Sequence, residues 1–210
     1  LLREADIAHI SSEIPFLTGC PYPDPNSGRL TFCSDSKYMG LLTDVGVDVV
    51  ELTGNHFADY GRAAMEETLS IYKSNNVPYF GGGADLQDSF QPALFEINGN
   101  KIAFFGCNMP DVDGPKVAAE NRSGAAPCDF DYFTARIAEL KAQGYLVIFT
   151  FQWFEDYYAS PSPKQVRDFQ LVADAGATIV SGSQAHFPNT MEFYNDTFLH
   201  YGVGNLFFDQ

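Results

Sequence analysis

Asn55 offers a hard carbonyl oxygen and His56 an imidazole, so this adjacent pair sets a metal ligand beside a proton donor. The pair closes the turn Gly54-Asn55-His56, which stops a short apolar run containing Val49, Val50 and Leu52. The run reads as a buried strand, and Ala63 to Ser74 has the apolar spacing of a helix. The polar triplet is therefore expected at a strand's carboxyl end, where open α/β sheets place their ligands. The competing reading is that Asn55 and His56 only cap the following helix. Glu13, Gln152, His186 and Asn205 are other polar residues at expected strand ends, and the argument for a site is that so many such tips recur.

The elements that must position them alternate along the chain. A strand over 6–10 ends at Ser11-Ser12-Glu13, and a long loop rich in Pro, Gly and Asn runs from Pro15 to Phe32. A helix over Asp35 to Val45 follows, with Ser34 or Asp35 as its cap and Gly46 as its stop. After the second helix, Val77 to Phe80 is a brief strand, and Gly81-Gly82-Gly83 reads as a turn because it lacks the Lys and Ser/Thr of a phosphate-cradling loop. Ala93 to Ile97 and Lys101 to Phe105 form a hairpin through Asn98-Gly99-Asn100. Phe130 to Gln143 is an amphipathic helix stopped by Gly144, and Tyr145 to Phe151 is a continuously apolar strand. A helix over Pro163 to Ala175, a strand over Thr178 to Val180 and a closing hairpin over Met191 to Tyr194 and Phe198 to Val203 complete the series. Strand and helix alternation with two hairpins implies a layered α/β domain, taken as one unit over residues 1–210.

Composition bounds the partners. Twelve Lys plus Arg against 27 Asp plus Glu give a net charge of −15, which opposes nucleic acid and anionic membrane surfaces. No run reaches the roughly 18 apolar residues that a membrane-spanning helix needs. Cys20 and Cys33 flank one Pro/Gly-rich loop and Cys107 and Cys128 flank a second, so two loop-closing disulfides are expected, four free thiols being the alternative. With few lysines, the cysteines point to an exported protein. The chain opens at Leu1 inside an element and stops directly after an apolar run, which reads as a fragment.

Ala5-Asp6 through Glu13, Thr53-Gly54-Asn55-His56 with Asp59-Tyr60-Gly61, Gln152-Trp153, Gly182 to His186 and the closing Tyr201 to Asp209 occur in one order and spacing. That series resembles the CapA family of capsule and poly-γ-glutamate synthesis proteins, within the calcineurin-like metallophosphatase superfamily. The resemblance implies a four-layer α/β/β/α sandwich with two mixed sheets, here without its first strand, and a divalent-metal site of Mn, Zn, Fe, Mg or Ca at the strand ends. It makes Glu13 a bridging carboxylate, Asn55 and His186 metal ligands, and His56 the acid at the leaving group.

The departures are as informative. Gln152 stands where the family has the His of a His-Trp pair, and Gln184 where it has the first His of a His-x-His turn. A neutral amide oxygen is a far weaker ligand for Zn, Mn or Fe than imidazole, so these residues, with Asn205, read as substrate contacts or as a vestigial metal site. Glu155-Asp156 reads as a solvated turn that could still add an oxygen to a hard cation. His9 and His200 read as structural and Trp153 as packing. Three functions are carried forward: an extracellular module that handles an anionic polymer or meets the capsule-assembly machinery, an active hydrolase of a phosphoester or polymer amide, and a structural extracellular subunit.

Overall fold

The computed structural model describes residues 2–22, 24, 26, 28, 30–109, 116–155 and 157–205. The chain divides into two compact units, Leu1–Gln91 with Asp111–Pro127, and Pro92–Pro110 with Cys128–Gln210.

The first unit is built on three parallel strands, β1 (His9–Ser11), β4 (Val49–Glu51) and β5 (Tyr79–Phe80), in the order β1-β4-β5. Val50 and Leu52 point to one side, into a core with Phe57, Met65, Leu69 and Tyr72. Helix α2 (Gly61–Ser74) supplies that core from one face, because Ala64, Met65, Thr68, Leu69 and Tyr72 recur at helical spacing. Thr68 also ties the helix to β2 (Phe16–Leu17), accepting the Phe16 N–H at 3.0 Å. β2 pairs in parallel with β3 (Ser34–Asp35). Asp35 then caps a 3-10 turn over Ser36–Tyr38, and helix α1 (Met39–Val45) ends at Gly46 with φ 81°. The helix expected from Asp35 is thus a 3-10 turn followed by an α-helix.

Gly82–Gly83 (β6) is not a plain turn. It pairs antiparallel with β9 (Gly124–Ala125), and a Cβ on Gly83 would lie 2.7 Å from the Asp88 carbonyl carbon in α3 (Leu86–Ser89). The glycines serve close backbone approach.

The second unit carries a six-stranded mixed sheet in the order β12 (Met191–Tyr194), β13 (Thr197–His200), β11 (Ile179–Ser183), β10 (Tyr145–Gln152), β8 (Asn100–Asn108) and β7 (Ala93–Ile97). Strands β7 (Ala93–Ile97) and β8 (Asn100–Asn108) form the expected hairpin, with Asn98 and Gly99 at φ 50° and 78° as a type I′ turn requires. β8, β10 (Tyr145–Gln152), β11 (Ile179–Ser183) and β13 (Thr197–His200) run parallel, and β12 (Met191–Tyr194) returns antiparallel along β13. The core is aromatic. Phe133 of α4 (Phe130–Ala142) meets Phe149 edge-on at 5.1 Å, and Phe169 of α5 (Pro163–Asp174) stacks on Phe151 at 4.8 Å.

Both expected disulfides are present, Cys20–Cys33 in the first unit and Cys107–Cys128 in the second, which removes the free-thiol alternative. Cys107→Ser with Cys128→Ser is expected to cost about 3 kcal/mol through loop closure in the unfolded chain, read as a lower urea midpoint.

Burial holds His200 below its ordinary pKa of 6.5. The unfolded chain takes up this proton near that value and the folded chain only at lower pH, so the contribution is complete above the unfolded pKa. It is lost as pH falls from there through the folded value. His200→Gln should therefore flatten the acid side of the stability profile, measured by urea unfolding between neutral and mildly acid pH.

Candidate functional site

In the first unit, β4 delivers Thr53 and Gly54 to the strand tip, and Gly54 lies directly against the backbone of Glu13 just beyond β1. A Cβ there would lie 2.7 Å from the Glu13 carbonyl oxygen and 2.9 Å from its carbon. The bare glycine therefore brings Glu13 beside Asn55 and His56. These two sit in a turn, with the Phe57 N–H donating to Gly54 O at 3.2 Å and the Asp59 N–H to His56 O at 3.1 Å. Helix α2 takes Tyr60 as its N-cap, without a side-chain bond, so Asn55 and His56 do not cap it.

His56 is oriented by Asp59. Its Nδ1 lies 2.6 Å from Asp59 Oδ2, and a carboxylate offers only lone pairs, so the ring places its Nδ1 proton there. The same oxygen accepts the Phe32 N–H at 2.9 Å, and the Phe32 ring meets His56 edge-on at 4.8 Å. The spacing of three between His56 and Asp59 was visible in the motif, but its role as a side-chain pair was not. Phe32 gave no signal.

Glu51 was also missed. This carboxylate is 1% exposed on β4, takes a hydrogen bond from the Thr53 hydroxyl, and lies 3.4 Å from His9 Nε2. His9, expected as a structural residue, meets the Phe80 ring at 5.4 Å in a tilted contact. A carboxylate within an apolar run reads as an interruption, whereas here the adjacent strand supplies its imidazole.

In the second unit, Gln152 ends β10 fully buried and Gln184 follows β11 at φ 82°. Gln152 Oε1 accepts from the Ser183 hydroxyl at 2.8 Å, and its Nε2 donates to Gln184 Oε1. His186 Nδ1 lies 3.3 Å from Asn205 Oδ1, and its Nε2 3.7 Å from the exposed carboxylate of Glu155. Asp156 and the closing residues 206–210 lie outside the described residues. Trp153 is buried as expected, against Phe151 and Phe169.

Glu13, Asn55 and His56 thus belong to one unit, and Gln152, Gln184, His186 and Asn205 to the other. Among the described residues no three His, Cys, Asp or Glu side chains group as a metal cluster. The two carboxamides are hydrogen-bonded to each other, and their oxygens already accept a hydroxyl and an amide proton. As arranged, they do not fit the imidazole-rich donor set that Zn, Mn or Fe takes.

Across residues 1–210 the sequence matches the family described as "Bacterial capsule synthesis protein PGA_cap". The chain belongs to this bacterial capsule synthesis protein family. It is 33% identical over 179 residues to the PGA biosynthesis protein CapA of Bacillus subtilis (strain 168), covering 84% of this chain and 47% of that protein. With the capsule biosynthesis protein CapA of Bacillus anthracis it shares 28% over 173 residues, 80% of this chain and 42% of that one. The chain thus spans less than half the length of these curated relatives. Among solved structures, it resembles a novel phosphatase from Mycoplasma pneumoniae (12% identity, TM-score 0.56, 96% of this chain and 61% of that one). It also resembles a putative 5'-nucleotidase from Staphylococcus aureus in complex with alpha-ketoglutarate (13% identity, TM-score 0.57, 80% and 34%). At such identities the likeness speaks for the fold alone, and the PGA_cap chain has the metallophosphatase-like α/β fold.

Proposed function

We propose that this PGA_cap chain is an extracellular module that handles a capsule polymer such as poly-γ-glutamate, or meets the machinery that assembles it, with a metallophosphatase-type site that no longer holds a transition-metal pair. The observation that carries this reading is the Gln152–Gln184 carboxamide pair, anchored by Ser183 where imidazoles would be expected. Gln152 Nε2 donates to Gln184 Oε1 and Gln152 Oε1 accepts the Ser183 hydroxyl, so both amide oxygens are engaged and neither is as strong a metal ligand as an imidazole. Two disulfides support an oxidising, extracellular setting. The charge of −15 argues that an anionic polymer is met through hydrogen bonding or a bridging cation rather than through ion pairs with basic residues.

The test is elemental analysis of the purified, chelator-treated protein after exposure to Mn and Zn, together with a phosphodiester screen. Less than a stoichiometric amount of metal and no turnover are expected. The His56–Asp59 pair favours a second reading, a functioning hydrolase in which His56 donates a proton to the leaving group. On that reading bound metal accompanies turnover, and His56→Ala lowers the rate by about 100-fold or more with the fold intact. Turnover that survives His56→Ala would remove His56 as the acid.

A further inference from the structure

We propose that the strap closed by Cys20–Cys33 is a positioning element for His56, acting through Phe32. The strap leaves β2 and returns at β3, and its base is fixed on both sides. On the outgoing side the Thr18 N–H donates to Glu67 Oε1 of α2 at 2.8 Å, and the Thr18 hydroxyl lies 3.2 Å from that of Ser36. On the returning side the Ser34 N–H donates to Pro15 O at 2.9 Å. The disulfide joins the two sides, with the cysteine Cα atoms 5.9 Å apart. Phe32, one residue before the bridged Cys33, is thereby held over the turn that carries His56 and Asp59.

Two contacts transmit this placement. The Phe32 N–H and His56 Nδ1 meet the same Asp59 oxygen, at 2.9 and 2.6 Å, so the strap fixes the carboxylate that orients the ring. The Phe32 ring then blocks one direction of imidazole rotation by its edge-on contact at 4.8 Å. With Nδ1 committed to Asp59, Nε2 is the ring nitrogen left for proton transfer or ligation. Phe32 keeps 40% of its surface exposed, more than a residue recruited only to fill the core would keep. The oxidation state of Cys20–Cys33 is in this way coupled to the geometry of His56. This coupling is independent of whether the site turns over.

The experiment follows the His56 Nδ1–H by NMR of the oxidised protein labelled with 15N-histidine, with His56→Gln identifying the resonance by its loss. Phe32→Ala keeps the backbone donor and removes the ring, and Cys20→Ser with Cys33→Ser unties the strap while leaving Cys107–Cys128 intact. Each is expected to speed exchange of this proton with water by about fivefold or more, the factor one ordinary hydrogen bond contributes, with backbone amide protection in β4 and α2 unchanged. Two results would overturn the proposal. One is an unchanged exchange rate in both variants; the other is faster exchange only alongside lost protection in β4 and α2, which would make the strap a general staple of the unit.

Discussion

Gln152→His combined with Gln184→His is expected to raise affinity for Zn or Mn by roughly 100-fold or more, since changes even to groups that only support metal ligands move affinity by about 10- to 100-fold. The geometry favours the gain. Gln152 pairs with Ser183 across β10 and β11, so the next residue, Gln184, sits beside it, and His186 follows two positions on. Gln184 holds φ 82°, a left-handed conformation that His tolerates better than most side chains. The substitution also removes the Gln152–Gln184 hydrogen bond, while the Ser183 hydroxyl keeps Phe151 O at 3.1 Å. Titration calorimetry of the chelator-treated variant and parent decides the matter. Equal affinities in the two proteins would sink the account of a site retired by these two exchanges, whereas tighter binding by the variant alone would support it.

Much of this was legible because the chain punctuates itself locally. Asn98-Gly99 can only turn one way between two alternating strands, Gly46 and Gly144 take the left-handed positions that end or follow helices, and the continuously apolar Tyr145 to Phe151 reads directly as a strand. The position of Gln152 was legible for the same reason, since it ends that strand. What stayed hidden depends on partners distant in sequence. Gly82–Gly83 became a strand because Gly124–Ala125 pairs with it. Glu51 is tolerated inside the sheet because His9 approaches from the neighbouring strand. Phe32 matters because a disulfide and a parallel strand pair return it to His56. None of these has a local period or spacing that a single sequence could display. The two Gln residues were visible as departures, but their bond to each other required the register of β10 with β11.

Gly54→Ala is expected to cost about 3 kcal/mol or more, at the upper end of what overpacking a tight site costs. The added methyl would meet the Glu13 Cα, carbonyl carbon and carbonyl oxygen, all backbone atoms with no rotamer through which to yield. Relief requires β1 to move away from β4, although the Ser12 N–H donates to Glu51 O at 2.9 Å and resists the separation. Gly40→Ala is the matched control: nothing lies within 4 Å of its Cβ, φ is not left-handed, and the position is exposed in α1. There the same methyl should stabilise by about 0.5–1 kcal/mol, since glycine is the poorer helix former. Urea unfolding of the two variants should therefore move the midpoint in opposite directions. The strength of the Gly54 effect also explains the Gly-Asn-His turn in physical terms. Asn55 and His56 can stand beside Glu13 only if the residue before them has no side chain, so the glycine belongs to the site by the space it leaves.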